Sequence, residues 1–366
     1  MQRVWFDHQI FVMQQYGGVS RYFYELSKAL RNHDEIHARI FAPAHINAYL
    51  KKEDAGDVLG FHFPFVKKGL RYRPKLLAPM LRLALEIHRP QILHETYYSL
   101  NGLHAGKRLK IVTTVHDMVY EKFPGLLDRA PVRVAMKYQA MKRADHVICV
   151  SENTKKDLLE FYPEFIDKVS VVHHGAAYVA PLSSGMVDFP EPFILFVGTR
   201  TGYKNFGRLV KAIGASAFLK NNFGLVLFGG GKLTGDERAM IRASGMQEQR
   251  VLHLSGSDEL LSLAYSRATA FVFPSVYEGF GMPLTEAMLH GCPIICSNAS
   301  CFPEICGSAA EYFDPEEVDA IRSSLENALE SPERLAYLAR VSRARSGLFS
   351  WQKCAQETSR IYKRIL

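Results

Sequence analysis

Two rhythms of apolar residues alternate along this chain. Short, nearly continuous apolar runs predict buried β-strands at residues 3–11, 36–42, 91–95, 110–115, 146–151 and 169–173. Stretches in which apolar positions recur every three to four residues predict amphipathic helices at 19–31, 131–143 and 152–162. Residues 176–192 break the pattern with Pro, Ser, Gly and Ala and read as a linker. A second series then begins. Strands are expected at 193–198, 224–229, 251–254, 270–274 and 293–297, and helices at 205–219, 234–243, 258–266 and 283–290. Strand–helix alternation implies parallel sheets covered on both faces, so the fold class is α/β with two doubly wound, Rossmann-like halves. The domains are expected at 1–180 and 190–347, followed by an amphipathic helix that Ser350 caps and that runs to residue 366.

Composition narrows the function classes. The 366 residues are 48% hydrophobic and 22% charged, as in a globular protein. The net charge of +8 and pI of about 9.1 suit anionic partners: nucleic acid, acidic lipid or nucleotide-linked substrates. The basic residues are dispersed, and no zinc-finger or RNP-like pattern points to nucleic acid. Met1-Gln-Arg-Val-Trp-Phe-Asp-His8 opens into a strand-like run without a signal-peptide pattern. No apolar segment approaches the roughly 18 residues needed to span a bilayer. A cytoplasmic protein is expected. Four of the six cysteines, Cys292, Cys296, Cys301 and Cys306, lack metal-knuckle spacing and read as small buried hydrophobes. No metal site is expected.

The segment with most chemical content is Glu278-Gly-Phe-Gly-Met-Pro-Leu-Thr-Glu286. Gly279, Gly281 and Pro283 interrupt its first half, and a helix with proline in the first turn follows. The order is strand, glycine loop, helix start, which aims backbone N–H groups and a positive helix end at one place, suited to a phosphate. Glu278 then lies in the loop and Glu286 one turn into the helix, where they address different parts of a ligand.

Pro274-Ser-Val-Tyr-Glu-Gly-Phe-Gly-Met-Pro-Leu-Thr-Glu-Ala-Met288 closely resembles the donor-site signature of the retaining glycosyltransferases of family 4. The likeness extends from Gly17 to the last helix, and Ser297-Asn-Ala-Ser-Cys-Phe-Pro-Glu-Ile-Cys-Gly307 and Phe313-Asp-Pro315 also fit it. The resemblance implies the GT-B fold: two Rossmann-like domains facing a cleft, the first for acceptor and the second for nucleotide-sugar donor, with helix 348–366 crossing back to the first. It implies that Glu278 contacts donor sugar hydroxyls, that Glu286 holds the ribose, and that Phe280, Gly281, Met282, Pro283 and Leu284 line the donor site.

Other residues join this picture. Arg200 and Lys204 follow the strand at 193–198, where open α/β sheets bind ligands, and two cations there could neutralise a diphosphate. Gly17 and Gly18 permit a tight turn after the first strand; in the family this loop faces donor phosphate and acceptor. His116 ends the strand at 110–115, where the family places a histidine against the donor sugar. Gly229-Gly-Gly-Lys-Leu-Thr-Gly235 fails the spacing of an ATPase phosphate loop. Gly229 instead resembles the wall of the family's nucleotide pocket, and Ser255 the segment that meets the base. An ordinary dinucleotide fingerprint is absent, which argues against a dehydrogenase. No pyridoxal-phosphate lysine motif supports a phosphorylase.

The resemblance implies transfer of a hexose from a nucleotide diphosphate to a hydroxyl of a glycan or lipid-linked saccharide, with retention and without metal or other cofactor. The context of Tyr16–Arg21 and His116 is similar to bacterial mannosyltransferases of O-antigen-type polysaccharides, so GDP-mannose is the expected donor. UDP-glucose, UDP-N-acetylglucosamine and dTDP-rhamnose are the alternatives, and a non-catalytic nucleotide-sugar-binding scaffold is the reading of another class. Residues 67–89 hold seven Lys or Arg against one Glu, interleaved with leucines, and suit peripheral contact with an anionic membrane.

Overall fold

In the computed structural model, residues 1–33, 35–51, 57–63, 77–102, 109–183, 187–200 and 202–366 are described. The first sheet contains β1 (Gln2–Phe6), β2 (Ile36–His45), β3 (Val58–His62), β4 (Ile92–Glu95), β5 (Lys110–Val115), β6 (His146–Cys149) and β7 (Val169–Val171). They run parallel in the order β3-β2-β1-β4-β5-β6-β7. The second contains β8 (Phe193–Val197), β9 (Gly224–Phe228), β10 (Val251–Leu254), β11 (Ala270–Phe273), β12 (Ile294–Ser297) and β13 (Ala310–Phe313). Its order is β10-β9-β8-β11-β12-β13, again parallel throughout. Both sheets reverse direction of growth once, between β1 and β4 and between β8 and β11. Such switch points open a crevice at the strand carboxyl ends.

The central strands read as unbroken apolar runs because helices cover both sheet faces. Every residue of β8, Phe-Ile-Leu-Phe-Val, is buried, as are those of β9, β11 and β12. Ile194, Phe196, Leu225 and Leu227 pack with Phe206, Leu209 and Ile213 of the helix Phe206–Gly214 and with Ile321 and Leu325 of Val318–Leu329.

The chain divides into two compact units, Met1–Gly175 with Ser350–Leu366, and Ala176–Phe349. The last helix, Trp351–Ile365, starts where Ser350 Oγ accepts the N–H of Lys353 at 3.1 Å. It packs within the first unit against the helix Gly18–Leu30, and the Tyr362 hydroxyl lies 2.7 Å from His94 Nδ1. Gly175 is required there, since a Cβ would sit 2.3 Å from the Trp351 nitrogen.

Several elements differ from the sequence pattern. The strand expected at 3–11 ends at Phe6, because Asp7 Oδ1 accepts the N–H of Gln9 at 3.0 Å and a helix, Gln9–Met13, begins. The helix expected at 205–219 is two, Phe206–Gly214 and Ala217–Asn222, since Ser216 Oγ caps the N–H of Leu219. β3 (Val58–His62), β13 (Ala310–Phe313) and the helices Val318–Leu329 and Pro332–Ser346 are not among the elements expected from the sequence pattern. In the basic segment 67–89, residues 67–76 lie outside the described residues. The rest forms the helix Ala78–His88, which buries Leu81 and Leu85. Met80, Leu83 and Ile87 remain 50%, 59% and 66% exposed. Within the linker at 176–192, residues 184–186 lie outside the described residues. All six cysteines are free and buried. Among the described residues no helix is long and apolar enough to cross a membrane.

Candidate active site

In the second unit the loops that leave β8 and β11, the two strands beside the switch point, are tied together. The N–H of Val276 donates to the Tyr203 carbonyl at 2.8 Å. Buried Asn205, in the left-handed conformation at φ 59°, donates its amide to the carbonyls of Pro274 (3.1 Å) and Pro315 (2.7 Å). This lattice sets Lys204 opposite Glu278. Lys204 Nζ is 2.5 Å from Glu278 Oε1, and both side chains are largely buried. The ammonium also stands 5.4 Å from the ring centroids of Tyr203 and Phe273, an apolar collar that strengthens the ion pair by excluding water.

Arg200 occupies a different position. Its side chain is only 1% exposed, and it donates from Nε to Glu237 Oε1 at 2.9 Å. Its Nη atoms reach the carbonyls of Gly229 (2.8 Å), Gly231 (2.8 Å), Gly230 (3.2 Å) and Lys232 (3.3 Å). The loop can wrap the guanidinium because Gly229, Gly230 and Gly231 all take positive φ, at 85°, 71° and 75°. A Cβ on Gly230 would lie 2.6 Å from the Gly198 oxygen. Glu237 also pairs with Thr234 in a capping box at the start of the helix Gly235–Ala243. Partial burial opposes its ionisation, but the Thr234 amide and Arg200 prevail and hold its carboxyl below the usual range. Arg200 is therefore brought to Gly229 and Glu237, while Lys204 is brought to Glu278.

The helix Met282–Leu289 starts from Gly281 at φ 80°, with Pro283 in its first turn, no side-chain cap and no acidic residue in that turn. Neither the cap residue nor the first turn supplies a carboxylate to the positive helix end, which suits an anion. Leu284 and Phe280 are buried, with Phe280 edge-on to Phe349 at 5.8 Å. Glu286 accepts from the Tyr265 hydroxyl at 3.2 Å. Ser255 is exposed after β10.

The first unit holds the remaining candidates. Gly17 precedes the helix Gly18–Leu30, and Gln14 Oε1 accepts the N–H of Ser20 there at 3.1 Å. A Cβ on Gly17 would meet that Gln14 carboxamide. His116 follows β5 and packs edge-on against Tyr22 at 5.1 Å and His174 at 5.8 Å. Its Nε2 is buried without a hydrogen-bond partner among the described residues. Burial lowers its pKa to about 4; Asp117 opposes the shift and Lys137 adds to it, so the ring is neutral at physiological pH. Buried Lys137 holds this loop from below, donating to the Asp117 carbonyl and to Glu121 Oε2, each at 2.7 Å.

Two family profiles cover most of the chain. One described as "Glycosyltransferase Family 4" matches residues 16–177, and one described as "Glycosyl transferases group 1" matches residues 187–345. The chain belongs to the GT-B glycosyltransferases. Among its relatives is the O-antigen chain mannosyltransferase B of Escherichia coli, 27% identical over 95% of this chain and 96% of that protein. The fold recurs in the sucrose-phosphate synthase of Thermosynechococcus elongatus, with TM-score 0.79, 18% identity and coverage of 100% and 99% of the two chains. It recurs also in HepE of Anabaena, solved in complex with UDP and glucose, with TM-score 0.75, 16% identity and full coverage of both chains.

Four positions of this glycosyltransferase escaped sequence reasoning: Asn205, Glu237, Ser300 and Lys137. Each acts on a loop from a separate element. Only the Thr234-x-x-Glu237 pattern carried a local signal, that of a capping box.

Proposed function

We propose that this glycosyltransferase transfers mannose from GDP-mannose, with retention and without a metal, to a hydroxyl of a lipid-linked or polysaccharide acceptor in O-antigen-type surface glycan synthesis. The observation that carries the reading is the Lys204–Glu278 pair at the carboxyl ends of neighbouring strands, beside an uncapped helix start. The resemblance to an O-antigen mannosyltransferase along nearly the whole chain supports the sugar and the pathway.

In this reading the diphosphate lies over the start of Met282–Leu289 and takes up Lys204, while Glu278 turns to the sugar hydroxyls. Glu286 holds the ribose. As the bond from C1 to the phosphate oxygen breaks, the electron pair leaves with the nucleoside diphosphate. The helix end and Lys204 stabilise that charge, and the Glu278 carboxylate favours the oxocarbenium character left on the sugar. The acceptor hydroxyl bonds to C1 on the same face and gives its proton to the departing phosphate. Arg200 supplies positive charge from behind the glycine loop; direct contact with phosphate requires it to release Glu237 or a loop carbonyl. Neutral His116 offers a sugar hydroxyl a hydrogen bond rather than a charge.

The apolar outer stripe of Ala78–His88, Met80, Leu83 and Ile87, flanked by Arg82 and Arg89, supports a peripheral seat on an anionic membrane, where a lipid-linked acceptor would be met.

The test is calorimetric titration of the purified protein with GDP, UDP, ADP and dTDP in the absence of divalent metal, followed by transfer assays with the matching donors. Selective GDP binding and mannosyl transfer support the reading. A preference for UDP or dTDP replaces the donor, and nucleotide binding without transfer to any acceptor favours the scaffold.

A further inference from the structure

Glu278 is held by its main chain as well as by Lys204. The hydroxyl of Ser300, 22 residues away in sequence, donates to the Glu278 carbonyl at 2.6 Å and accepts the Glu278 N–H at 3.3 Å. One side chain thus clasps both polar groups of a single residue across two loops. Ser300 does so from the left-handed region, at φ 55°, which a residue with a Cβ adopts only when its surroundings impose it. Those surroundings are visible. Ser297 Oγ accepts the N–H of Ala299 at 3.1 Å, the N–H of Asn298 donates to the Phe313 carbonyl at 2.9 Å, and the N–H of Phe302 donates to the Ala299 carbonyl at 3.3 Å. Cys301, next in the chain, is fully buried. The turn after β12 is fixed in a strained shape whose visible product is the placement of this hydroxyl.

Glycine would meet the backbone demand at φ 55° without strain, yet a serine stands there. The hydroxyl, and not the turn, accounts for the residue.

We infer that Ser300 is a positioning residue for Glu278: it fixes the backbone from which the carboxylate reaches the donor sugar, and it acts on turnover rather than on nucleotide affinity. This rests on the role given to Glu278 above. The nucleotide's contacts fall elsewhere, on the helix Met282–Leu289 and Lys204, so loosening the clasp leaves them in place.

Ser300→Gly separates this role from a general structural one, because it removes the hydroxyl while relieving the strain. The expected variant melts close to the wild type and binds the nucleoside diphosphate found by calorimetry with unchanged affinity. It loses about tenfold to a hundredfold in kcat, the cost of a misplaced reacting group. Hydrogen exchange of the 276–280 amides quickens. Ser300→Asn, which tolerates the left-handed region and can both donate and accept, recovers part of the lost turnover. Full kcat in Ser300→Gly, or a loss confined to nucleotide affinity, overturns the inference. If the wild-type chain transfers no sugar from any donor, the proposed function fails on its own. The exchange rates then decide the clasp: faster exchange in Ser300→Gly upholds it and equal rates overturn it.

Discussion

Lys204 and Glu278 neutralise each other: the ammonium of one stands 2.5 Å from the carboxylate of the other, and neither meets much water. In the proposed function each serves the half of a nucleotide sugar opposite in charge to itself, the lysine the diphosphate and the glutamate the electron-poor sugar. Donor binding then exchanges one ion pair for two better-matched contacts, and a single substitution leaves the surviving partner uncompensated.

Glu278→Gln should therefore lower kcat by about a hundredfold, a size usual for losing one electrostatic contact to a transition state. Nucleoside diphosphate affinity should hold or rise slightly, since Lys204 no longer has a rival for its charge. Steady-state kinetics and calorimetry on the same preparation check both halves. Unchanged turnover removes Glu278 from the mechanism.

Arg200→Ala should weaken nucleoside diphosphate binding and also lower stability, because Glu237 and four loop carbonyls lose one shared donor. Breaking such a buried pair costs about 3 kcal/mol. A lower melting temperature with unaltered affinity would confine Arg200 to holding the loop. Gly230→Ala should cause similar damage through the collision with the Gly198 oxygen.

The locations of these groups were only partly legible in the sequence. The unbroken apolar runs of β8, β9, β11 and β12 announced a covered parallel sheet, and Glu278 and Glu286 announced themselves through the glycines and proline between them. The pairing of Lys204 with Glu278 was not readable, because it depends on β8 lying beside β11, a neighbour relation created by topology across 74 residues. Arg200 read as a cation placed to neutralise a diphosphate; its enclosure was not readable, because the three glycines that wrap it lie on the loop after a different strand. Ser300 lay in a segment that fits the family, but its role was not readable, since a left-handed serine is written no differently from any other.

Acid should act chiefly on the first unit. His94 and His116 are held neutral by burial, with pKa values lowered to about 3 and 4, and His174 falls well below its ordinary range. The unfolded chain binds protons at these sites below about pH 6.5 and the folded chain does not, so stability is present at neutral pH and is lost as pH falls. At pH 5 the loss is about 2 kcal/mol each for His94 and His116. Glu95 works in the opposite direction: burial, partly offset by Arg143, raises its pKa to about 7, so it favours the fold as pH drops below that value. Three histidines outweigh one glutamate. Calorimetric scans at pH 7 and pH 5 should show the transition of the first unit moving down by more than that of the second, and a uniform shift would contradict this.

Transfer should persist in EDTA. Cationic side chains and a helix start carry the charge of the leaving group in this reading, so full loss of activity restored by a divalent ion would refute that part of it.

Cosedimentation with vesicles containing anionic lipid should exceed that with neutral vesicles and fall with added salt. Leu83→Glu or Ile87→Glu, on the outer stripe of Ala78–His88, should reduce it while leaving nucleotide affinity intact. Equal binding to both vesicle types would exclude this seat.

The helix Trp351–Ile365 belongs to the first unit, although 174 residues of the second stand between it and Gly175. During synthesis the second unit is a continuous segment, complete once Phe349 has left the ribosome. The first cannot bring Tyr362 to His94 until the whole of the second has been made. A unit left incomplete in this way exposes apolar surface of the kind that chaperones and proteases recognise.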